Sequence, residues 1–177
     1  MKLFLSFLAI FAAAGLVAHA ETELKVGDTA PKVSGIDTDT HPWKLEDLLG
    51  KKNVLLYFYP KDNTPGCTKQ ACTLRDRMGD LQKQGIEVVG VSFDNTASHQ
   101  EFRHKYDLNF KLIADTEGKI ADAYGTRKEA GKNIARRVSF LIGKDGKIKH
   151  ITDHPSADVH LAEMKEAIEK LKSDKKS

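Results

Sequence analysis

Two long, mainly apolar segments constrain the fold of this chain most strongly. Residues 53–59 (NVLLYFY) and 86–93 (IEVVGVSF) do not alternate between apolar and polar side chains. This pattern is typical of strands that are buried on both faces, as in a parallel sheet. Between them, apolar residues recur at helical spacing and predict a helix over residues 66–84 that ends before Gly85. Together the three segments form a βαβ unit.

The rest of the mature chain continues the alternation of strands and helices. We expect an N-terminal β-hairpin over residues 33–43, a helical turn over 45–49, a helix opened by the capping box Ser98-x-x-Glu101, a strand over 111–114, a short helix over 118–124, a hairpin of strands 138–142 and 147–151, and a last helix capped by Ser156. A βαβ half followed by a ββα half is the thioredoxin-like arrangement. We therefore predict an α/β fold of this class, with a central mixed sheet flanked by helices.

The first twenty residues have the pattern of a signal peptide. Lys2 supplies a positive start, residues 3–17 are apolar, and Ala18-His19-Ala20 matches a small-x-small cleavage site. We predict removal of residues 1–20, a mature chain that begins at Glu21, and export to the periplasm. An uncleaved membrane anchor is the alternative, although the apolar run is short for a membrane span.

Composition and charge exclude several functions. The length is that of one domain, which we expect over residues 21–177. The formal net charge is +3, and it becomes +2 without Lys2 (27 basic less 25 acidic residues). This is too close to neutral to indicate a nucleic-acid partner, and we expect no stable membrane association. The lysine-rich residues 170–177 are predicted to form a frayed, solvated tail.

The two cysteines of the chain, Cys67 and Cys72, lie five residues apart at the start of the first predicted helix. A helix N-terminus favours the thiolate form of a cysteine, which is the nucleophile, and the second thiol is close enough to capture the oxidised first one. In an exported protein a static disulfide is also possible. The spacing differs from Cys-x-x-Cys, and two thiols without suitably spaced histidines are too few for a zinc site.

Other side chains suit a reaction of Cys67 with a peroxide. Thr64 carries a hydroxyl that can donate and accept, Pro60 stiffens the loop, and Gly66 permits close backbone approach. The fixed positive charge that such a site needs is absent nearby in sequence. Arg137, before a predicted core strand, is the best remote candidate.

These residues carry a resemblance to a known family. The pattern Pro60-x-x-x-Thr64-x-x-Cys67 resembles the active-site motif of peroxiredoxins, and its continuation through Cys72 is similar to the bacterioferritin-comigratory (Q-type) branch. Arg137 before Val-Ser-Phe-Leu-Ile is similar to the second-site arginine of that family. The resemblance extends over residues 24–171. The chain departs from the family in its leader, which suggests an exported form, and in a shorter segment over residues 125–135.

The resemblance implies a thiol-dependent peroxidase with Cys67 as the peroxidatic and Cys72 as the resolving cysteine. Pro60, Thr64 and Arg137 would surround the thiol, with Arg136 as the alternative arginine. The implied substrates are hydrogen peroxide and organic hydroperoxides, and the oxidised enzyme would carry an intramolecular Cys67–Cys72 disulfide. A thioredoxin-like or other dithiol reductant would restore the enzyme.

The remaining expectations concern cofactors, assembly and neighbouring residues. The resemblance implies no metal, haem or flavin, and we expect a monomer. The alternative function is a thioredoxin-like disulfide oxidoreductase or binding module that does not react with peroxide. Trp43 and Tyr57 are expected to be packing residues. Gln70 either orients the loop or belongs to a solvated helix face.

Overall fold

The computed structural model describes residues 24–173, so the predicted signal peptide lies outside the described residues. The strands are β1 (Ser34–Asp37), β2 (Pro42–Lys44), β3 (Asn53–Phe58), β4 (Ile86–Ser92), β5 (Lys111–Ala114), β6 (Val138–Ile142) and β7 (Ile148–Asp153). The α-helices are α1 (Pro65–Lys83), α2 (Thr96–Lys105), α3 (Lys119–Ala123) and α4 (Ala157–Ser173), and a 3-10 turn covers Leu45–Asp47.

The seven strands form one mixed sheet in the order β2-β1-β5-β4-β3-β6-β7. The central pairs β3–β4 and β4–β5 are parallel, whereas β3–β6, β6–β7, β1–β5 and β1–β2 are antiparallel. The predicted parallel βαβ unit and both predicted hairpins are therefore confirmed. In the thioredoxin-like fold that results, the C-terminal ends of β3 and β4 lie side by side, and the loops that follow them share one edge of the sheet.

Strand β3 divides the core into two layers because successive side chains point to opposite faces. Val54, Leu56 and Phe58 pack in one cluster, which also receives residues from α3 and from the N-terminal segment. Leu55 and Tyr57 pack in the other cluster, against apolar residues of α1, α2 and α4. All six residues of β3 are buried, as its apolar sequence predicts.

Three details differ from the sequence predictions. Helix α2 begins at Thr96 with Asn95 as its N-cap, and the Asn95 side chain accepts a hydrogen bond from the Ser98 backbone N–H over 2.9 Å. The predicted cap at Ser98 is wrong, because Asn95 forms the cap one turn earlier and Ser98 already lies inside the helix. Strand β7 runs to Asp153, two residues beyond its predicted end. Residues 170–173 form the last turn of α4 rather than an unstructured tail.

Within residues 24–173, no helix has the length and apolar character that crossing a membrane requires.

Candidate active site

The first turn of α1 places Cys67 at the sheet edge that follows β3. Thr64 is the N-cap with extended backbone, Pro65 is the first helical residue, and Cys67 is the third. The missing N–H of Pro65 costs nothing there, because the first amides of a helix have no intrahelical partner. Only 2% of Cys67 is exposed, so its sulfur lies in a largely dry environment close to the positive end of the helix.

Arg137 immediately precedes β6 and supplies the fixed positive charge at the thiol. Its Nη2 donates to Cys67 Sγ over 3.2 Å, and its Nε donates to the carbonyl oxygen of Pro155 over 3.0 Å. Its Nη1 donates to Oε1 of Gln70. Three nitrogens of a largely buried guanidinium are thus held, and the fixed cation lies in direct contact with the sulfur of Cys67.

The neighbouring arginine has a different role. Arg136 pairs with the carboxylate of Asp153, and its Nη2 donates to the carbonyl oxygen of Gly125 over 2.7 Å. The structure therefore brings Arg137, and not Arg136, to the thiol. Gly66 contributes space, since a Cβ atom at this position would lie 3.3 Å from Arg137 Nη2.

The loop before α1 brings Pro60 and Thr64 to the same region. Pro60 lies two residues after the end of β3 and is half-buried. The Thr64 hydroxyl donates to the carbonyl oxygen of Lys61 over 2.9 Å. Because that bond uses the hydroxyl proton, the lone pairs of the oxygen are left to accept a hydrogen bond from a molecule bound beside Cys67.

Cys72 is a half-buried free thiol on the same helix as Cys67, which is also free. In a regular helix, a step of five residues separates the Cα atoms by roughly 8.7 Å, whereas a disulfide requires about 7 Å or less. The two thiols cannot form a bond in this conformation. The structure is that of the reduced protein.

The sequence did not decide the role of Gln70. The structure shows that it is almost fully buried and that it accepts the hydrogen bond of Arg137 Nη1, so the solvated-face interpretation is wrong. A usable signal was present: Gln70 is three residues after Cys67 and therefore shares its face of α1.

A second residue that sequence reasoning missed is Asp62, which is only 5% exposed. Its carboxylate accepts hydrogen bonds from the hydroxyl groups of Tyr59 and Ser98 and lies 2.8 Å from Nδ1 of His99. Asp62 follows β3 and Asp94 follows β4, and polar residues at the ends of adjacent parallel strands are a signal that could have identified this cluster.

Trp43 and Tyr57 are buried packing residues, as expected. The Tyr57 ring stacks on Tyr59 with 5.4 Å between ring centroids. Burial raises the pKa of the Tyr57 hydroxyl well above its ordinary value, and the nearby charge of Cys67 raises that pKa further. Tyr57 therefore remains protonated beside the thiol.

Comparisons with known proteins agree with this geometry. The AhpC/TSA family model matches residues 26–151. Peroxiredoxin Bcp of Escherichia coli K12 is 45% identical over 135 residues, which cover 73% of this chain and 86% of the relative. The chain belongs to the peroxiredoxins. Chloroplastic peroxiredoxin Q of Oryza sativa subsp. japonica is 35% identical over 146 residues, covering 82% of this peroxiredoxin and 67% of the rice protein.

A solved structure supports the same conclusion. The crystal structure of peroxidoxin BcpB from Mycobacterium tuberculosis matches with a TM-score of 0.77 and 31% identity, and the match covers 85% of this chain and 97% of that one. The predicted thioredoxin-like fold and the predicted family are confirmed. This peroxiredoxin is a thiol-dependent peroxidase, an oxidoreductase of the Bcp and Q type.

The described part of this peroxiredoxin contains no group of three or more histidine, cysteine, aspartate or glutamate side chains that could hold a metal ion. The chemistry available at the site is that of a thiolate, a guanidinium and hydroxyl groups.

Proposed function

We propose that Cys67 is the peroxidatic cysteine of this peroxidase. Its thiolate attacks one oxygen of a hydroperoxide, the S–O bond forms as the O–O bond breaks, and the products are a Cys67 sulfenic acid and a hydroxide or alkoxide that takes up a proton. The contact of 3.2 Å between Arg137 Nη2 and Cys67 Sγ carries this proposal. The same cation that stabilises the thiolate lies where it can stabilise charge on the peroxide oxygens.

Thr64 and Pro60 complete the proposed site. The Thr64 oxygen is free to accept a hydrogen bond from the peroxide O–H, since its own proton is donated to Lys61. Pro60 lacks an N–H and has a fixed φ, so it shapes the loop without adding a donor that needs a partner. These two residues and Arg137 would align the O–O bond with the sulfur.

We propose Cys72 as the resolving cysteine. Its sulfur attacks the Cys67 sulfenic acid, a disulfide forms, and water leaves. An external dithiol, thioredoxin-like or of another type, then reduces the disulfide to two thiols. The substrates are hydrogen peroxide and organic hydroperoxides. A free and half-buried thiol at position 72 supports this role.

Trapping the sulfenic acid tests the assignment. In a Cys72→Ser variant treated with one equivalent of hydrogen peroxide, dimedone should label Cys67, and peptide mass spectrometry should locate the adduct there. In the wild-type protein the disulfide should form instead and labelling should be weak. Labelling of Cys72 in a Cys67→Ser variant as fast as the labelling of Cys67 in Cys72→Ser would contradict the assignment.

We also propose that the protein is exported and that the mature chain begins at Glu21. The support is the pattern of residues 1–20, with Lys2, the apolar run and the Ala18-His19-Ala20 site. Mass spectrometry of periplasmic material should give an N-terminal peptide that starts at Glu21. A chain that retains residues 3–17 would indicate a membrane anchor instead.

We further infer a monomer. Among the described residues, the large hydrophobic side chains that are exposed are Val26 and Ile36, so these residues offer no extended apolar surface for a stable dimer. Sedimentation equilibrium of the reduced mature protein should give the mass of one chain, and a dimer mass at micromolar concentration would contradict this inference.

A further inference from the structure

A polar cluster lies beside the loop that precedes Cys67, formed by the buried residues Tyr59, Asp62 and His99 and the half-buried Ser98. The hydroxyl of Tyr59 donates to Asp62 Oδ1 over 2.7 Å, and the hydroxyl of Ser98 donates to Oδ2 over 2.8 Å. Nδ1 of the fully buried His99 lies 2.8 Å from the same Oδ2. The reaction proposed above uses none of these four side chains. Burying polar groups costs free energy unless each is hydrogen-bonded, and here each side chain has a partner.

The backbone of Asp62 is fixed as well. Its N–H donates to Asp94 Oδ2 over 2.9 Å, and the same oxygen accepts a hydrogen bond of 2.7 Å from Ser92 Oγ. Asp62 is therefore held by β4 through its backbone and by α2 through its side chain.

This constraint acts two residues before Thr64. The residue between them, Asn63, has a φ of +58°, in the left-handed region that side chains other than glycine rarely adopt. Such a conformation persists only where the surrounding structure over-determines it. The carbonyl oxygen of Thr64 then accepts from the Thr68 N–H over 2.8 Å and closes the first turn of α1. One residue of restricted conformation therefore separates the constrained Asp62 from Thr64, the N-cap of α1.

The orientation of the His99 ring matches this role. Nε2 of His99 lies 3.3 Å from the carbonyl oxygen of Ile113 on β5, while Nδ1 faces Asp62. A carboxylate oxygen only accepts hydrogen bonds, so Nδ1 is the donor in the shorter contact, the one with Asp62. The His99 ring therefore lies between the loop that carries Asp62 and strand β5.

We propose that Asp62 and His99 are positioning residues of the peroxidase reaction. Their contact holds the loop so that Thr64 and Cys67 meet the peroxide with the O–O bond in line with the sulfur, although both residues act from the far side of the loop. This inference rests on the proposed role of Cys67. It predicts that a side chain of α2 controls the peroxide rate constant.

Two substitutions of one residue separate positioning from stability. His99→Asn places an amide nitrogen near the position of Nδ1 and keeps a donor for Asp62, whereas His99→Gln reaches toward Ile113 and loses the contact with Asp62. In stopped-flow oxidation of Cys67 by hydrogen peroxide, His99→Gln should lower the second-order rate constant about tenfold and His99→Asn by no more than about threefold, since small misplacements of reacting groups are costly. Urea unfolding should show similar losses of stability for both.

Tyr59→Phe is a second test if the His99 variants fold poorly. It removes one donor to Asp62 and should lower the peroxide rate constant at least about threefold, by the same loss of alignment. Tyr124→Phe is the matched control, because Tyr124 is also buried and donates over 3.0 Å to the carbonyl oxygen of Pro31, but lies in the other core layer. Its peroxide rate constant should equal that of the wild type.

Alkylation of Cys67 by iodoacetamide provides the second readout, since it needs a thiolate but no aligned O–O bond. Alkylation rates should stay within about twofold of the wild type in every variant while peroxide rates fall, because only the peroxide reaction depends on that alignment. Equal peroxide rates in His99→Gln and His99→Asn, or in Tyr59→Phe and Tyr124→Phe, would overturn the positioning proposal. Parallel changes in both reactions would also overturn it. A wild-type Cys67 that does not react with peroxide would instead refute the proposed function, and the positioning proposal with it.

Discussion

Arg137 shows at the scale of one residue why a cysteine peroxidase can keep a charged group buried. Hydrogen bonds to Cys67, Gln70 and Pro155 use three of its nitrogens. A guanidinium with its donors satisfied in this way needs no reorganisation when charge develops on the peroxide, and such preorganised donors are the effective ones. Gln70 and Pro155 fix the plane of the guanidinium, and its positive charge faces the sulfur of Cys67.

Replacing Arg137 should therefore affect the chemical step. We expect Arg137→Ala to lower the second-order rate constant for hydrogen peroxide by roughly a hundredfold, the effect of losing one oxyanion donor in other enzymes. Arg136→Ala is the matched control, because it removes an equal charge one residue away that pairs with Asp153. Stopped-flow measurements on both variants make the test. A larger loss in Arg136→Ala would show that Arg136, and not Arg137, supplies the catalytic charge.

His160 gives the stability of the protein a pH dependence. Its Nε2 donates to the carbonyl oxygen of His154 over 2.7 Å, so the neutral ring accepts at Nδ1 from the Ser139 hydroxyl, also at 2.7 Å. Burial lowers the pKa of His160, and the charge of Arg137 lowers that pKa further. The unfolded chain therefore binds a proton at this position before the folded protein does as the pH falls.

The free energy of unfolding should consequently decrease as the pH falls below about 6.5, by at most about 1.4 kcal/mol per pH unit for this one proton. Urea unfolding at pH 8, 6 and 5 measures the decrease. It should be smaller in His160→Gln than in the wild type, and His104→Gln, at an exposed position on α2, should leave it unchanged. An equal decrease in wild type and His160→Gln would show that His160 does not contribute.

At the scale of elements, the first helix must change shape during the proposed cycle. Both cysteines lie on α1, with their Cα atoms about 8.7 Å apart in a regular helix, which is too far for a disulfide. We expect residues 66–74 to unwind when the disulfide forms, while β3 stays in place. A bond that costs helical structure is easier to reduce than an unstrained one, as a catalytic disulfide has to be.

Amide hydrogen exchange can detect this change. Residues 66–74 should lose protection in the oxidised protein, whereas the amides of β3 should keep theirs. Oxidised Cys72→Ser, which cannot form the internal bond, should retain the protection of the reduced protein. Equal protection of residues 66–74 in both states, with the disulfide verified by mass, would show that the helix does not unwind.

How far sequence predicts such elements depends on the range of the interactions that form them. The bounds of β6 follow from its apolar run alone, because all of its residues are buried. The bounds of β5 were also predicted, although its two central residues are buried and its two end residues are half-buried. The N-cap of α2 was assigned to Ser98 because Glu101 follows it at capping-box spacing. Asn95, an equally good cap residue one turn earlier, forms the cap instead. A local pattern cannot show which of two cap residues the loop from β4 brings into place.

At the scale of the whole molecule, the sheet order assembles the site. β6 lies next to β3, which brings Arg137 to Cys67 across 70 residues of sequence. Parallel pairing of β3 with β4 brings Asp62 to Asp94 in the same way.

The motif around Cys67 predicted the nucleophile, and Arg137, predicted from its place before a core strand and from the family resemblance, does contact Cys67. Local position marks Gln70 as a neighbour of Cys67 on α1 and Asp62 as a residue after β3. Their partners, Arg137 and His99, belong to separate elements and follow from packing alone.

In the proposed cycle, one chain reduces a peroxide and converts its two thiols to a disulfide. Stoichiometric oxidation tests this step without any partner protein. Reduced wild-type protein mixed with one equivalent of hydrogen peroxide, without any reductant, should consume the peroxide and lose both thiols, with a Cys67–Cys72 disulfide in the peptide map. Cys67→Ser, in which Cys72 remains, should consume almost none over the same time. Peroxide consumption by Cys67→Ser at the wild-type rate, or wild-type protein that keeps both thiols, would contradict the proposed roles of Cys67 and Cys72.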